Sequence, residues 1–238
     1  MAKQCTCGRS LSYPYCDNTH SIKPRIIDAI NPKTFNYLQD ELNNKVVQVP
    51  RFVSKEMSED FISSFENNNS WEKVAFTNTL VLTDPELNEV IESEWNKLKQ
   101  SVQKTIEIIF NKHVKLETMY VQKWNENAEG IKHSDTHNID GSVGNITYKI
   151  ATTLFLHKDF TGGNIKFYNK EMTLEPKQAS LYVFNGGQND HEILKVESGT
   201  RYTIVSFWDY EDSSYTDEEM QQMELSQQSW ATYIKEQK

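Results

Sequence analysis

Arg201-Tyr202-Thr203-Ile204-Val205-Ser206-Phe207-Trp208 decides the fold class. It is a strand-length run of β-branched and aromatic side chains with no glycine or proline inside it, the composition that suits a pleated, packed surface. Four further runs of the same character precede it, at 117–124, 148–157, 164–168 and 180–184, with Gly, Asn or Pro between them. Many short strands following a helical front part predict a mostly β fold with flanking helices, a sandwich or barrel buttressed from one side.

The front part reads as follows. Val46-Val47-Gln48-Val49-Pro50-Arg51-Phe52-Val53 is a strand that stops at a turn, and Ser54 then caps a helix running to about Phe65. Met57, Phe61, Ile62 and Phe65 recur along it at helical spacing. Asp84-Pro85, a capping residue followed by Pro in the first turn, predicts the start of a longer helix. Leu87, Val90, Ile91, Trp95, Leu98, Val102, Ile106 and Ile109 form its apolar stripe, which reads as core packing against a sheet. A third helix is expected over 33–44 and a polar one over 216–238, the latter docking through Met223, Trp230, Ala231 and Ile234. The chain divides into an N-terminal segment (1–24), a connector (25–45), a main domain (46–210) and a C-terminal polar helix (211–238).

The chemistry lies in His133-Ser134-Asp135, joined by His191 and Arg201 farther on. Two imidazoles and one carboxylate occupy one face of an octahedral Fe(II) and leave positions open for a co-substrate and O2. In a strand, residues i and i+2 project to the same side, so His133 and Asp135 can meet one metal. Arg201 adds a cation that stays charged when buried and whose planar fork matches a carboxylate. Thr203, two residues on, faces the same side. A lone His-x-Asp arises often by chance in polar loops; His191 and Arg201 raise it above that. His113, His137 and His157 have no such support and read as surface or core residues. Pairing Asp135 with His137 is set aside because the Gly130 approach fits His133 better. Asp190 would face away from His191, and Asp209-Tyr210-Glu211-Asp212 reads as a solvated strand exit.

The block from Val49 to Trp208 resembles the Fe(II)/2-oxoglutarate dioxygenases of the prolyl 4-hydroxylase-like branch. The resemblance rests on Gly130-Ile131-Lys132-His133-Ser134-Asp135, Leu154-Phe155-Leu156-His157-Lys158-Asp159-Phe160-Thr161-Gly162-Gly163, Leu174-Glu175-Pro176, His191-Glu192 and Gly199-Thr200-Arg201-Tyr202-Thr203. It implies a double-stranded β-helix, the jelly-roll barrel. It also implies iron held by His133, Asp135 and His191, and 2-oxoglutarate held at its distal carboxylate by Arg201 with Thr203. Phe155 and Thr153 are expected to line the co-substrate pocket. Trp124 stands where many members place a Tyr; its indole N–H can donate but not accept. Gln178 and Lys195 replace a common Gly and a common Pro. The implied reaction is oxidative decarboxylation of 2-oxoglutarate to succinate and CO2, coupled to hydroxylation of a C–H bond, with ascorbate as a candidate reductant.

Residues 5–20, Cys-Thr-Cys-Gly-Arg-Ser-Leu-Ser-Tyr-Pro-Tyr-Cys-Asp-Asn-Thr-His, hold all three cysteines of the chain. They resemble the CDGSH-type iron–sulfur motif, with Asn18 at the family's Gly. By that resemblance Cys5, Cys7, Cys16 and His20 would hold a [2Fe–2S] cluster, the Cys5–Cys7 pair on one iron and Cys16 with His20 on the other. A Cys3His zinc site is the competing reading. Such motifs commonly pair, so a homodimer or a redox partner through this segment is a candidate.

The formal charge of −9 over 238 residues argues against broad electrostatic capture of nucleic acid. No run of apolar residues is long enough to span a membrane, and Met-Ala-Lys-Gln-Cys at the start lacks the apolar stretch of a secretory signal. A cytoplasmic location is the resulting expectation. Two functions compete: a 2-oxoglutarate-dependent hydroxylase acting on a prolyl residue of a protein or peptide, or on a small molecule, and an iron–sulfur electron-transfer or redox-sensing protein that uses the barrel as a binding platform.

Overall fold

β13 (Arg201–Tyr210) runs through the middle of the molecule and is buried on both faces along nearly its whole length. The computed structural model describes residues 26–27, 30–40, 44–74, 79–137 and 144–236; the Cys5–His20 motif lies outside them. On one side β13 pairs antiparallel with β5 (Val114–Trp124), on the other with β6 (Ile150–Phe155). Beyond β6 come β10 (Leu181–Asn185), β2 (Val46–Val49) and β1 (Asn36–Gln39); beyond β5 come β4 (Thr79–Leu82) and β3 (Glu72–Val74). The eight strands make one antiparallel sheet. Facing it are a three-stranded sheet of β11 (His191–Ile193), β8 (Ile165–Phe167) and β9 (Met172–Leu174), and a β12 (Val196–Gly199)–β7 (Phe160–Gly162) pair. This is the expected jelly-roll arrangement, mostly β with flanking helices.

Strand alternation sorts the side chains into two cores. Val205 and Phe207 of β13, Ala151 and Phe155 of β6, Trp124 of β5 and Tyr182 and Phe184 of β10 face inward. There they pack on Ile165, Phe167, Leu174, Ile193 and Val196 of the smaller sheets. Tyr202, Ile204 and Trp208 face outward with Leu154, Val183 and Val121, under α1 (Lys55–Glu66) and α2 (Glu89–Phe110). Double-sided burial explains why 201–208 reads as a nearly continuous apolar run. Phe61 and Phe65 stack at 5.7 Å, and both meet the edge of Trp95 of α2 at 6.0 and 5.9 Å, which fixes the two helices together.

The Ser54 cap is present: its hydroxyl accepts the Met57 N–H at 3.0 Å. The longer helix begins later than Asp84-Pro85 suggests. Asn68 bonds Glu86 at both its N–H (2.6 Å) and its carbonyl (3.2 Å), which keeps residues 85–88 out of the helix. Asn88 then accepts from the Val90 and Ile91 N–H groups, both at 3.1 Å, and starts α2. Val90 is accordingly 62% exposed and leaves the apolar stripe. The helix expected over 33–44 does not form. Pro32–Thr34 makes one 3-10 turn and β1 follows, because the open edge of β2 offers the backbone a ladder, reinforced by the Asn36 amide donating to Gln48 at 3.0 Å. Strands β3, β4, β7, β9 and β12 escape the sequence reading; each is only three or four residues long.

Asp209 is fully buried rather than solvated. It accepts from Tyr210 N–H, Ser213 Oγ and Tyr215 OH, and so ties the end of β13 to the start of α3 (Asp217–Glu236). In α3 Met223 is buried as expected, while Trp230, Ala231 and Ile234 lie outside the described side chains. Among the described residues no helix is long and apolar enough to cross a membrane.

The start of α2 is directly testable. Asn88→Ala should cost about 1 kcal/mol in chemical denaturation through loss of the cap, whereas Asp84→Ala should cost less than about 0.5 kcal/mol. The reverse order would place the helix start at Asp84.

Candidate metal centre and a buried arginine

His133 and His191 stand directly opposite each other in an isolated antiparallel bridge and exchange both backbone hydrogen bonds, at 2.9 and 2.8 Å. The pairing brings the rings to 4.5 Å between centroids. Each ring is then oriented by its own Nδ1–H: His133 donates to the Ile131 carbonyl and His191 to the Asn189 carbonyl, both at 2.8 Å. With Nδ1 so engaged, each Nε2 carries the free lone pair, the tautomer a metal requires.

Asp135 reaches the same point by a different route from regular strand alternation. After the bridge at His133 the chain bends, Thr136 N–H bonding Ser134 Oγ, and Asp135 N–H is held by the Gly186 carbonyl at 3.1 Å. Its Oδ1 lies 3.6 Å from His133 Nε2 and 3.9 Å from His191 Nε2. The ligand atoms of the three residues all lie within 4.8 Å of one another. Gly186 permits the approach: a Cβ there would meet Tyr148 O at 2.5 Å and Asp135 Oδ2 at 3.0 Å. The Asp135 side chain is 4% exposed and its Oδ2 has no partner. An ionised carboxylate so buried needs a cation or a donor beside it.

The two imidazoles differ electrostatically. Burial works against the charged form of His133, but hydrogen bonding and attraction from Asp135, together with the Ile131 carbonyl, hold its pKa above the usual value. His191, 7% exposed against 36% for His133, is pushed down by burial despite Asp135. One imidazole therefore faces the mouth of the barrel and the other its interior, where the His191 ring contacts Phe184 and Phe167 at 5.2 and 5.8 Å.

Arg201 opens β13 on the inner face and is 1% exposed. Register sets it opposite Trp124, and sets Thr203 between Gln122 and Phe155. The guanidinium lies between two aromatic rings, 5.2 Å from the centroid of Trp124 and 4.8 Å from that of Phe155. Nε and Nη1 of Arg201 and Oγ1 of Thr203 are buried without hydrogen-bond partners. Burial lowers the Arg201 pKa to about 9, so the group is still a cation at neutral pH. A buried cation with two unused donors beside an unused hydroxyl fits an anionic oxygen ligand. Gly163, at φ +62°, gives the arginine its room: a Cβ there would stand 2.9 Å from Arg201 Cδ.

Trp124 contributes a ring face. Its indole N–H donates to Gln122 Oε1 at 3.3 Å, so the donor that the sequence offered in place of a Tyr hydroxyl is already engaged. Thr153 is buried on the same sheet face, paired with Tyr182 and Val205. Among the described residues the other histidines stay apart. His113 faces Glu107, His137 meets Thr136 Oγ1, and His157 accepts the Asp159 N–H. Asp190 pairs with Lys132 at 3.4 Å instead of turning inward. The sequence reading missed Tyr120, Tyr148 and Phe207. Tyr148 stacks on Phe207 at 4.3 Å and Tyr120 tilts against it at 6.2 Å. Burial, with the Asp135 charge nearby, raises the pKa of Tyr120. The period-two spacing of Tyr120, Gln122 and Trp124 was the available signal for Tyr120.

Comparison with known proteins agrees with this geometry. The family model described as the 2OG-Fe(II) oxygenase superfamily matches residues 118–209, a span that includes His133, Asp135, His191 and Arg201. No curated protein matches the chain. Among solved structures, a prolyl hydroxylase from Trichoplax adhaerens in complex with a hypoxia inducible factor oxygen degradation domain peptide fragment superposes with a TM-score of 0.56. The two share 14% identity over 87% of this chain and 93% of that one. The viral collagen prolyl hydroxylase of Paramecium Bursaria Chlorella virus-1, in a 2OG complex, gives 0.53 at 12% identity over 69% and 94%. A Pseudomonas putida prolyl-4-hydroxylase gives 0.52 at 15% over 69% and 91%. At these identities the structural likeness is one of fold. Family model and fold point the same way: residues 118–209 match the 2OG-Fe(II) oxygenase superfamily model, and the barrel shares its fold with the solved prolyl hydroxylases.

Proposed function

We propose that this chain is an Fe(II)- and 2-oxoglutarate-dependent dioxygenase that hydroxylates a C–H bond of a prolyl residue in a protein or peptide. One observation carries the reading: a buried, unpaired Arg201 with free donors shares the interior of the barrel with a His–Asp–His cluster. A metal site alone fits many reactions, whereas the added cation selects a co-substrate that carries a second carboxylate.

In this reading His133 Nε2, His191 Nε2 and an Asp135 oxygen hold the iron, and Arg201 with Thr203 holds the distal carboxylate of 2-oxoglutarate. Bound iron supplies the activation of O2 that couples decarboxylation of 2-oxoglutarate to succinate and CO2 with insertion of one oxygen into the substrate. The protein orients and excludes. Trp124 and Phe155 pack beside the guanidinium, at 5.2 and 4.8 Å, and would keep water from competing for it. Peptide hydroxylation is supported by the Trichoplax neighbour, described with a peptide bound, and by the exposed Ile131 beside His133, which leaves an apolar edge at the mouth of the site.

A second centre belongs to the same proposal. The spacing of Cys5, Cys7, Cys16 and His20 supports a [2Fe–2S] site on the N-terminal segment, whose role would be to return electrons to the barrel iron or to sense redox state.

Three outcomes are expected. Succinate formation from 2-oxoglutarate should require Fe(II), and His133→Ala or Asp135→Ala should lower it roughly 100-fold or more; turnover that survives both changes would remove the metal assignment. Arg201→Lys should raise KM for 2-oxoglutarate about tenfold with a smaller change in kcat, because a point charge replaces a planar fork; an unchanged KM would place the distal carboxylate elsewhere. The anaerobically purified full chain should absorb in the visible region, and Cys16→Ser should abolish that absorption; a colourless, zinc-containing protein would assign the segment to zinc.

A further inference from the structure

The turn after β10, Asn185-Gly186-Gly187-Gln188-Asn189, touches two of the three cluster residues through its backbone. The Gly186 carbonyl accepts the Asp135 N–H at 3.1 Å, and the Asn189 carbonyl accepts the His191 Nδ1–H at 2.8 Å. Gly187 packs on Thr136, where a Cβ would stand 3.0 Å from Oγ1. The position of Asp135 and the ring angle of His191 are therefore set by one five-residue turn.

Asparagine side chains hold that turn. Asn185 Oδ1 accepts the N–H groups of Gly187 and Gln188, at 3.1 and 3.0 Å, an Asx arrangement that closes the turn from its first residue. Asn189 is fully buried, and its Nδ2 donates back to the Asn185 carbonyl at 2.6 Å, closing the turn from its last residue. From outside, Asn169 Nδ2 donates to the Gln188 carbonyl at 2.8 Å, and the Gly186 N–H bonds the Lys149 carbonyl at 2.9 Å. A glycine pair is flexible by itself. Here its two peptide groups are fixed by polar side chains that do not touch the cluster.

We propose that Asn185 and Asn189 are positioning residues for the metal centre: they lock the Gly186–Gly187 turn so that Asp135 and His191 are presented together. Neither side chain is a ligand. Without them the turn relaxes, Asp135 loses its backbone anchor and the Asn189 carbonyl no longer fixes the His191 ring. The cost then falls on metal affinity and coordination geometry, more than on the fold.

This inference rests on the reading of His133, Asp135 and His191 as metal ligands, and the experiment separates the two. Co(II) is titrated into the metal-free full chain carrying Cys5→Ser, Cys7→Ser and Cys16→Ser, so that no thiolate competes for it, and its Kd and visible ligand-field spectrum are recorded; this chain is the parent for the variants below. Asn185→Ala is expected to weaken Co(II) binding roughly tenfold and change the spectrum, with circular dichroism unaltered. Asn185→Ser keeps an acceptor able to cap the same N–H groups and is expected to return the affinity to within about threefold of the parent. Should Asn185→Ala not fold, Asn189→Leu, close in volume but unable to donate, is expected to show the same loss. Parent-like affinity and spectrum in Asn185→Ala or Asn189→Leu overturn the positioning role while leaving the metal reading intact, as does a Ser variant no better than Ala. A parent chain that binds no Co(II) overturns the metal reading itself, and this inference with it.

Discussion

The molecule is organised around a conflict on β13: a strand packed on both faces must also carry a guanidinium. Burial of an ion without a partner is costly, and the effective penalty in a protein is still several kcal/mol. Arg201 has two aromatic rings beside it, burial draws its pKa down to about 9, and Nε and Nη1 are still left without partners. A strand selected only for stability would place an apolar residue there. Trp124, Phe155 and the Gly163 gap all serve to accommodate this one charge, and its free donors define a compartment that an anion completes.

The second constraint concerns range. His133 and His191 belong to opposite ends of a long chain segment, yet their backbones exchange two hydrogen bonds. The metal cluster is thus a consequence of strand pairing and not of side-chain reach. Gly130 extends the pairing, bonding the Ile193 carbonyl at 2.8 Å in a gap where a Cβ would press on Ile193 at 3.2 Å. The approach to the first ligand and the strand of the last are zipped together over these residues, so the ring positions are as rigid as the barrel wall.

Much of this was legible before any coordinates. The central strands, the Ser54 cap, the meeting of His133, Asp135 and His191 and the inward placement of Arg201 were all readable from residue pattern and capping chemistry, although a bend and not strand alternation brings Asp135 to the two histidines. The failures share a cause. The helix expected at 33–44 lost to an open sheet edge, a tertiary partner that composition cannot reveal. Asn88 displaced Asp84-Pro85 because Asn68, eighteen residues away in sequence, holds the Glu86 backbone outside the helix. Asp209 looked solvated within an acidic run, but Ser213 and Tyr215 turn back to satisfy it. In each case a long-range or returning hydrogen bond decided between local options of similar propensity. The three-residue strands were beyond reach for a related reason: each is defined by its neighbour, and few periods are available to read.

Trp124 shows how the structure alters a functional reading without removing it. On sequence grounds its indole N–H was a substitute donor for the co-substrate. In the fold that N–H is used by Gln122, and the ring instead stacks on Arg201. In the proposed reading, the distal carboxylate subsite would therefore depend on Arg201 and Thr203 for hydrogen bonds and on two aromatic rings for shape and dryness. Low polarity around a charged pair strengthens its attraction, since little water competes for either partner. At position 124 the ring thus adds an apolar wall to the guanidinium and no free hydrogen-bond donor.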